Sequence, residues 1–306
     1  MGFYYDDLQC QTQLLINTWY HVAFVYDYRS KSQNIYLNGN QNCRRNSDGL
    51  YLGSKGAIYI GTFLYKDKYH CFDGLIDNVA LTMRTKTDME ILDDATLMTW
   101  HSFDSVSWND SSTFGLTAIA NNVNLVSGKV NYALNFNSSS AYYQISGFVL
   151  LRISTRSYSI SLWIKRTSNS GGVLVHLSTQ TNGTGTCITL IGFQANGKIV
   201  ARNVRSKKKE IVGLLLPINV WTHIAVTYSS KNGLILYING MFYSKTSRTP
   251  YKTSGEINIL TLGNLLNGNS CYRGSITSDV YVGDIDEFRV YSRELSTMDV
   301  YKLATH

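Results

Sequence analysis

At 306 residues, with 44% hydrophobic and 16% charged residues, 24 glycines, 22 tyrosines and 2 prolines, the chain has the composition of a β-rich globular protein of about two domains, not of a disordered one. No run of about 18 apolar residues occurs, so no membrane span lies within the sequence; the longest candidate, 211–218, is broken by Gly213 and Pro217. The formal net charge of +7 is uneven: residues 1–97 carry nine Lys and Arg against eleven Asp and Glu, and residues 98–306 nineteen against ten, so only the second part has a field that favours anionic partners.

The first distinctive stretch, Trp19-Tyr20-His21-Val22-Ala23-Phe24-Val25-Tyr26, recurs as Trp221-Thr222-His223-Ile224-Ala225-Val226-Thr227-Tyr228. Tyr36-Leu37-Asn38-Gly39 recurs as Tyr237-Ile238-Asn239-Gly240 and Gly61 as Gly263, within one residue of an offset of 202. Gly74-Leu75-Ile76-Asp77 answers Gly283-Asp284-Ile285-Asp286 at an offset of 209, which places an insertion of about seven residues between Gly263 and Gly283. The chain reads as a tandem with domains at 1–97 and 98–306. More than 100 residues precede Trp221 but 18 precede Trp19, so 1–97 is expected to hold only the C-terminal half of a module, and the chain to be a fragment. No signal-peptide pattern is visible.

Each landmark segment alternates. Trp221, His223, Ala225 and Thr227 point one way and Ile224, Val226 and Tyr228 the other, as do Trp19, His21, Ala23 and Val25 against Val22, Phe24 and Tyr26. Both faces are mostly apolar, which predicts strands in a sheet covered on both sides. A turn follows at 27–32 and 229–233, and the next strand ends at Asn-Gly, a hairpin signal. Further strands are predicted at 57–61, 75–81, 159–165, 173–177, 187–193, 198–201, 257–262 and 284–291. Thr87-Asp88-Met89-Glu90 and Ser296-Thr297-Met298-Asp299 have capping-box spacing, which predicts a short turn of helix closing each module. Short strands with frequent turns imply an all-β jelly-roll β-sandwich.

Five cysteines without a zinc-type spacing favour disulfides and an extracellular or cell-surface location. Cys187 with Cys271 is the expected pair in the second domain and Cys10 with Cys43 in the first, leaving Cys71 over. Sequons at Asn109, Asn137 and Asn182 fit the same secreted reading.

The pattern Trp-x-His-[Val/Ile]-Ala, Tyr-[Leu/Ile]-Asn-Gly, Gly-x-Ile-Asp and a terminal Ser/Thr-x-x-acid turn resembles the LamG-like family of concanavalin A-like lectin/glucanase jelly rolls. The likeness extends through Trp100-His101-Ser102-Phe103-Asp104, Ala133-Leu134-Asn135-Phe136 and Ser157-Tyr158-Ser159-Ile160-Ser161-Leu162-Trp163-Ile164, covering one complete module plus the C-terminal half of another. The resemblance implies the fold; function stays open, since the fold hosts lectins, glycosidases and adhesion modules.

Glycosidases of this fold carry acids alternating along one strand. Strand alternation puts Asp284, Asp286 and Phe288 on one face and Glu287 on the other, so an aromatic stands where the third acid belongs. The counterparts Asp73, Leu75, Asp77 and Val79 also lack it. His21 and His223 have no serine or cysteine at a shared spacing and read as core residues. Relatives hold calcium where the first and last strands meet, which makes Asp104 and Asp286 the calcium candidates; no other cofactor is expected. A laminin-type site for sulfated glycans would fall on Arg202, Arg205, Lys207, Lys208 and Lys209, the basic run otherwise being a solvated loop. Tyr142, Tyr143, Tyr251 and Tyr272 are candidate sugar platforms. The expected function is non-enzymatic extracellular binding of glycans or proteins, with a structural spacer as the alternative and a glycoside hydrolase third. No nucleic-acid partner is expected.

Overall fold

The computed structural model describes residues 7–49, 58–65, 68–105, 108–112, 114–148, 156–203, 210–247 and 258–305. The chain divides into two compact units, Met1–Thr96 and Leu97–His306.

In the first unit, β1 (Val22–Asp27), β2 (Ser32–Leu37) and β3 (Asn40–Asn46) form an antiparallel sheet in that order. β4 (Thr62–Tyr65) and β5 (Lys68–Cys71) form a separate hairpin, and helix α1 (Asp88–Thr96) follows. The second unit opens with β6 (Leu97–His101), β7 (Ala118–Asn121), β8 (Asn124–Ser127), β9 (Tyr132–Phe136) and β10 (Tyr142–Phe148). β11 (Tyr158–Arg166), β12 (Gly172–Ser178), β13 (Ile188–Phe193), β14 (Lys198–Arg202) and β15 (Glu210–Leu215) come next. The unit closes with β16 (Thr222–Ser229), β17 (Gly233–Ile238), β18 (Met241–Lys245), β19 (Asn258–Leu262), β20 (Gly283–Tyr291) and helix α2 (Thr297–Thr305).

Two sheets build the second unit. One has seven strands in the order β15-β14-β13-β12-β19-β10-β7; the other has eight, ordered β18-β17-β16-β11-β20-β9-β8 with β6 also on β20. Their facing sides interdigitate in one core: Leu134, Ile160, Leu162, Ile224, Val226, Leu236, Ile285 and Phe288 from the larger sheet meet Tyr143, Ile145, Leu174, Leu190, Ile199, Leu260 and Leu262 from the smaller. Each such side chain, fully removed from water, contributes roughly 1.5–3 kcal/mol. This is the β-sandwich that the alternation predicts. On the other side of the eight-stranded sheet, Ala225, Ile235, Tyr237 and Tyr291 pack with Leu295 and Val300 of the α2 region, so β16 is covered on both faces as expected.

The repeated motifs adopt one local geometry. In β1–β2, Ala23 pairs with Tyr36, and in β16–β17, Ala225 pairs with Tyr237. Asn38 and Gly39 have φ of 51° and 81°, Asn239 and Gly240 of 50° and 77°, the two left-handed residues of a tight hairpin turn. Both capping boxes are reciprocal: the Glu90 amide donates to Thr87 Oγ1 at 3.3 Å and the Thr87 amide to Glu90 Oε2 at 2.8 Å, while Asp299 and Ser296 exchange the same bonds at 3.2 and 2.9 Å. Each caps a nine-residue helix, longer than the single turn predicted, because an apolar stripe continues beyond the cap: Ile91 in α1 and Val300 in α2 are buried.

Two expectations fail in the first unit. Residues 75–81 form no strand and 58–61 none either, Ala57 lying outside the described residues. The counterpart of 75–81, β20, is held by β11, β6 and β9, and that of 58–61, β19, by β10 and β12, all N-terminal to Trp221, and residues 7–21 contain no strand that could play those parts. For the same reason β1 is not covered on both faces: Val22 and Phe24 are exposed.

Candidate functional site

The outward face of the eight-stranded sheet gathers most of the chemistry. Register places Trp163 beside Asp286 on β20 and beside His223 on β16, Ser161 beside Arg289, and Lys165 beside Asp284. The plain alternation read along 284–288 does not hold. A bulge lies opposite 161–163, where Glu287 adopts φ of 52°; Phe288 therefore turns into the core with Ile285 and Val290, away from the face of Asp286.

Each carboxylate here has its own partners. Asp284 accepts Asn135 Nδ2 at 2.6 Å and pairs with Lys165 Nζ at 2.7 Å. Asp286 Oδ2 accepts the amides of Lys129 and Val130 at 2.8 and 2.9 Å, and its Oδ1 the amide of Glu287 at 2.7 Å. Burial pushes this carboxyl up to about 7, against the pull of those amides toward the charged form. Glu287, also raised by burial, accepts Trp100 Nε1 at 3.0 Å and pairs with Arg289. Asp104 Oδ1 accepts the Tyr132 amide at 3.2 Å. This donor set does not fit calcium: the ion needs six to eight oxygens, whereas Asp286 and Asp104 face backbone N–H groups. Among the described residues no three His, Cys, Asp or Glu converge.

Three indoles stand on this face, each with a cation above it. Lys129 Nζ lies 4.7 Å from the Trp163 ring centre, Lys165 Nζ 5.0 Å from Trp221, and Arg289 Cζ 4.5 Å from Trp100. Trp100 and Trp221 are half-buried and Trp163 nearly buried, while Trp19, the first-unit counterpart of Trp221, is exposed. His223 meets Ser161 Oγ at 2.8 Å through Nε2 and Trp163 edge-on. Burial, with the Arg289 charge adding to it, lowers its pKa to about 3, so it is a neutral core histidine at physiological pH.

The outward face of the seven-stranded sheet carries a row that sequence reasoning missed. Gln144, Thr261, His176 and Thr189 are cross-strand neighbours on β10, β19, β12 and β13, all buried. Loops 179–186 and 264–272 close over them. Gln144 Nε2 donates to the Thr181 carbonyl at 2.9 Å and His176 Nε2 lies 2.9 Å from the Gly183 carbonyl. The second loop is the insertion that the change of offset places between Gly263 and Gly283. Cys187 and Cys271 are joined across it, and Cys10 to Cys43 in the first unit; Cys71 is an exposed free thiol.

The polyanion and tyrosine candidates change. Arg202 is buried, with its guanidinium 4.0 Å from the Tyr272 ring centre and Nε 3.6 Å from Glu210 Oε2, so it offers no surface charge to a sulfate; Tyr272 is half-buried, with one side of its ring against Arg202. Arg205, Lys207, Lys208, Lys209 and Tyr251 lie outside the described residues. Tyr143 is buried and bonded to His101 Nδ1 at 2.8 Å, which removes it as a sugar platform; Tyr142 is half-buried. Asn109, Asn137 and Asn182 are exposed.

Residues 2–92 and 136–301 match a laminin G family described as the Concanavalin A-like lectin/glucanases superfamily, and the chain belongs to that family. Among solved structures it is similar to domain 4 of AbnA, an extracellular arabinanase from Geobacillus stearothermophilus, in complex with arabinotriose: 22% identity, 68% of this chain, 98% of that one, TM-score 0.50. It is also similar to the binding domain of Paraclostridial Mosquitocidal Protein 1, at 18% identity and TM-score 0.52, covering 69% of this chain but only 52% of that one. No curated protein matches the chain. At these identities the likeness establishes the fold.

Proposed function

We propose that the protein is a non-enzymatic, extracellular recognition protein that binds glycans on the outward face of the eight-stranded sheet. The observation that carries this reading is the set of partly accessible indoles of Trp100 and Trp221, flanked by Lys165, Lys129 and Arg289. Indole faces stack on the apolar faces of pyranose rings, and charged side chains around them bond ring hydroxyls. Support of a general kind comes from the lectin-type fold and from the arabinotriose complex of a structural neighbour. The extracellular placement is supported by two disulfides. The absence of catalysis is inferred from Asp284, Asp286 and Glu287 being engaged by amides, lysine and arginine, which leaves no free acid and base pair among the described residues of this face. We also infer that both units derive from one module type, from the shared hairpin turns and capping boxes.

The test is a panel of neutral and sulfated glycans against the full chain. Saturable binding that Trp221→Ala weakens at least tenfold supports the proposal. No binding by a folded chain transfers the weight to a structural spacer, and turnover of a glycan lost in Asp284→Asn and Asp286→Asn overturns the non-enzymatic reading.

A further inference from the structure

The three cations over the indoles of the eight-stranded sheet are not alike. Lys165 is paired with Asp284 at 2.7 Å and Arg289 with Glu287, so their charges are matched within the protein. Moving either cation to a ligand would leave a carboxylate whose side chain is only 5% or 6% exposed without its partner, a costly exchange. Lys129, in the turn between β8 and β9, is exposed, and among the described residues no carboxylate forms an ion pair with it. Asp286 is 0% exposed and directs its oxygens at three backbone amides, that of Lys129 among them, and not at the ammonium. Those bonds fix the turn, as does the Gly128 amide donating to the Asn131 carbonyl at 2.9 Å. Packing there is close: a Cβ on Gly128 would lie 2.7 Å from Asp286 Oδ2. The unpaired ammonium is thereby held in place, 4.7 Å from the centre of the Trp163 ring.

Register locates that ammonium between the two accessible indoles. Trp163 lies two residues along β11 from Lys165, whose Nζ covers Trp221, and two residues the other way from Ser161, which stands beside Arg289 and through it Trp100. Each step of two residues is roughly 7 Å along the strand. We propose that the glycan bound here carries an acidic sugar residue, whose carboxylate or sulfate meets the Lys129 ammonium while Trp100 and Trp221 stack on flanking rings. Lys129 is then the residue that selects acidic over neutral sugars. The inference rests on the glycan reading of this face. Its physical basis is that a hydrogen bond between two charged groups is about twice as strong as a neutral one, and that Lys129 meets an anion with no ion pair to break.

The probes are neutral and acidic members of the same backbone, titrated against the full chain by calorimetry. Trigalacturonate is set against galactotriose, and sulfated against unsulfated N-acetyllactosamine, so that the carboxylate and sulfate sources are separated. The expected result is that an acidic member binds tighter than its neutral match by about tenfold at low salt. That advantage should be lost in Lys129→Gln, retained in Lys129→Arg and diminished at high salt, whereas Trp221→Ala should weaken both members of a pair. An unchanged thermal midpoint of Lys129→Gln shows that the turn stays folded, since it is the Lys129 amide and not its side chain that Asp286 holds. Equal binding of neutral and acidic members, with no effect of Lys129→Gln, overturns the inference and leaves the glycan reading standing. An acidic preference that survives Lys129→Gln and disappears in Lys165→Gln or Arg289→Gln overturns it too, by moving the selection to a paired cation. No binding of any glycan by the folded chain overturns both the inference and the reading beneath it.

Discussion

His223 and Asn239 hold each other across the β16–β17 hairpin: the His223 amide donates to Asn239 Oδ1 at 2.9 Å and the Asn239 amide to the His223 carbonyl at 2.8 Å. His21 and Asn38 make the same pair at 3.0 and 2.8 Å. Asparagine suits this position twice, because it tolerates positive φ and its side chain satisfies an amide at the mouth of the strand pair. Asn239→Ala is expected to cost about 1–3 kcal/mol, from a strained backbone and an unpaired amide. Gly240→Ala should cost a similar amount, since a Cβ there would lie 3.0 Å from Ala304 Cβ and 3.2 Å from Tyr301 Cα at φ of 77°. Urea unfolding curves of both variants check this, and a loss under 0.5 kcal/mol would contradict it.

Asp286 ties β20 to the turn before β9. Asp286→Asn sets an N–H₂ group against at least one of three amide donors, so a loss of about 1–3 kcal/mol is expected. Calcium and chelator should leave the thermal midpoint of the wild-type chain unchanged. A midpoint raised by calcium and lost in Asp286→Asn would restore the metal site.

Acid should destabilise the second unit. Burial lowers His101 to about 4 and His223 to about 3, and lowers His176 as well. Each of these groups takes up a proton on unfolding once pH falls below the ordinary histidine value of about 6.5, so its stabilising contribution is complete above about 6.5 and is lost as pH falls toward the folded value. Each unit of separation is worth about 1.4 kcal/mol. Asp286, raised to about 7, acts oppositely between about 7 and 3.8, gaining stability as pH falls. Glu287, also raised by burial, acts in the same sense as Asp286; the three lowered histidines outnumber the two raised carboxyls, so the urea midpoint should drop between pH 6.5 and 4. The slope should flatten in a His101→Gln, His223→Gln double variant; an unchanged slope would show that these imidazoles do not titrate on unfolding.

The Cys187–Cys271 bridge spans 84 residues and anchors the loop over the Gln144–His176 row. Cys187→Ser with Cys271→Ser is expected to cost up to about 4 kcal/mol in the chain-entropy picture. Exchange should rise first in 179–186 and 264–272. Uniform loss across the unit, with no early opening of those loops, would show that the bridge does not hold the lid.

Much of the fold was legible because it is written in local chemistry. The predicted strands at 159–165, 173–177, 198–201 and 284–291 each lie within a strand of the structure, since apolar residues at every second position allow little else. Short or half-exposed strands such as β7, β8, β15 and β18 escaped notice, because edge strands carry mixed side chains with weak alternation. At the site, the change of offset foretold the lid loop, but nothing local announced the bulge at Glu287. A left-handed glutamate has no sequence signature, and it sends Phe288 to the other face. Arg202 looked like part of a basic surface because it adjoins Lys207, Lys208 and Lys209 in sequence; its burial depends on Tyr272 and Glu210 arriving from elsewhere in the chain.

By itself the sequence determined the recurring motifs, the hairpin turns at Asn-Gly, the capping boxes and the jelly-roll class, all of which depend on residues within a few positions of one another or on strand periodicity. Only the tertiary structure decided that Asp286 serves backbone amides, that Arg202 lies under a loop, and that Phe24 is exposed where Val226 is buried. Those outcomes depend on which distant strand packs against a residue, and identical local patterns acquire opposite burial when one copy has that partner and the other does not.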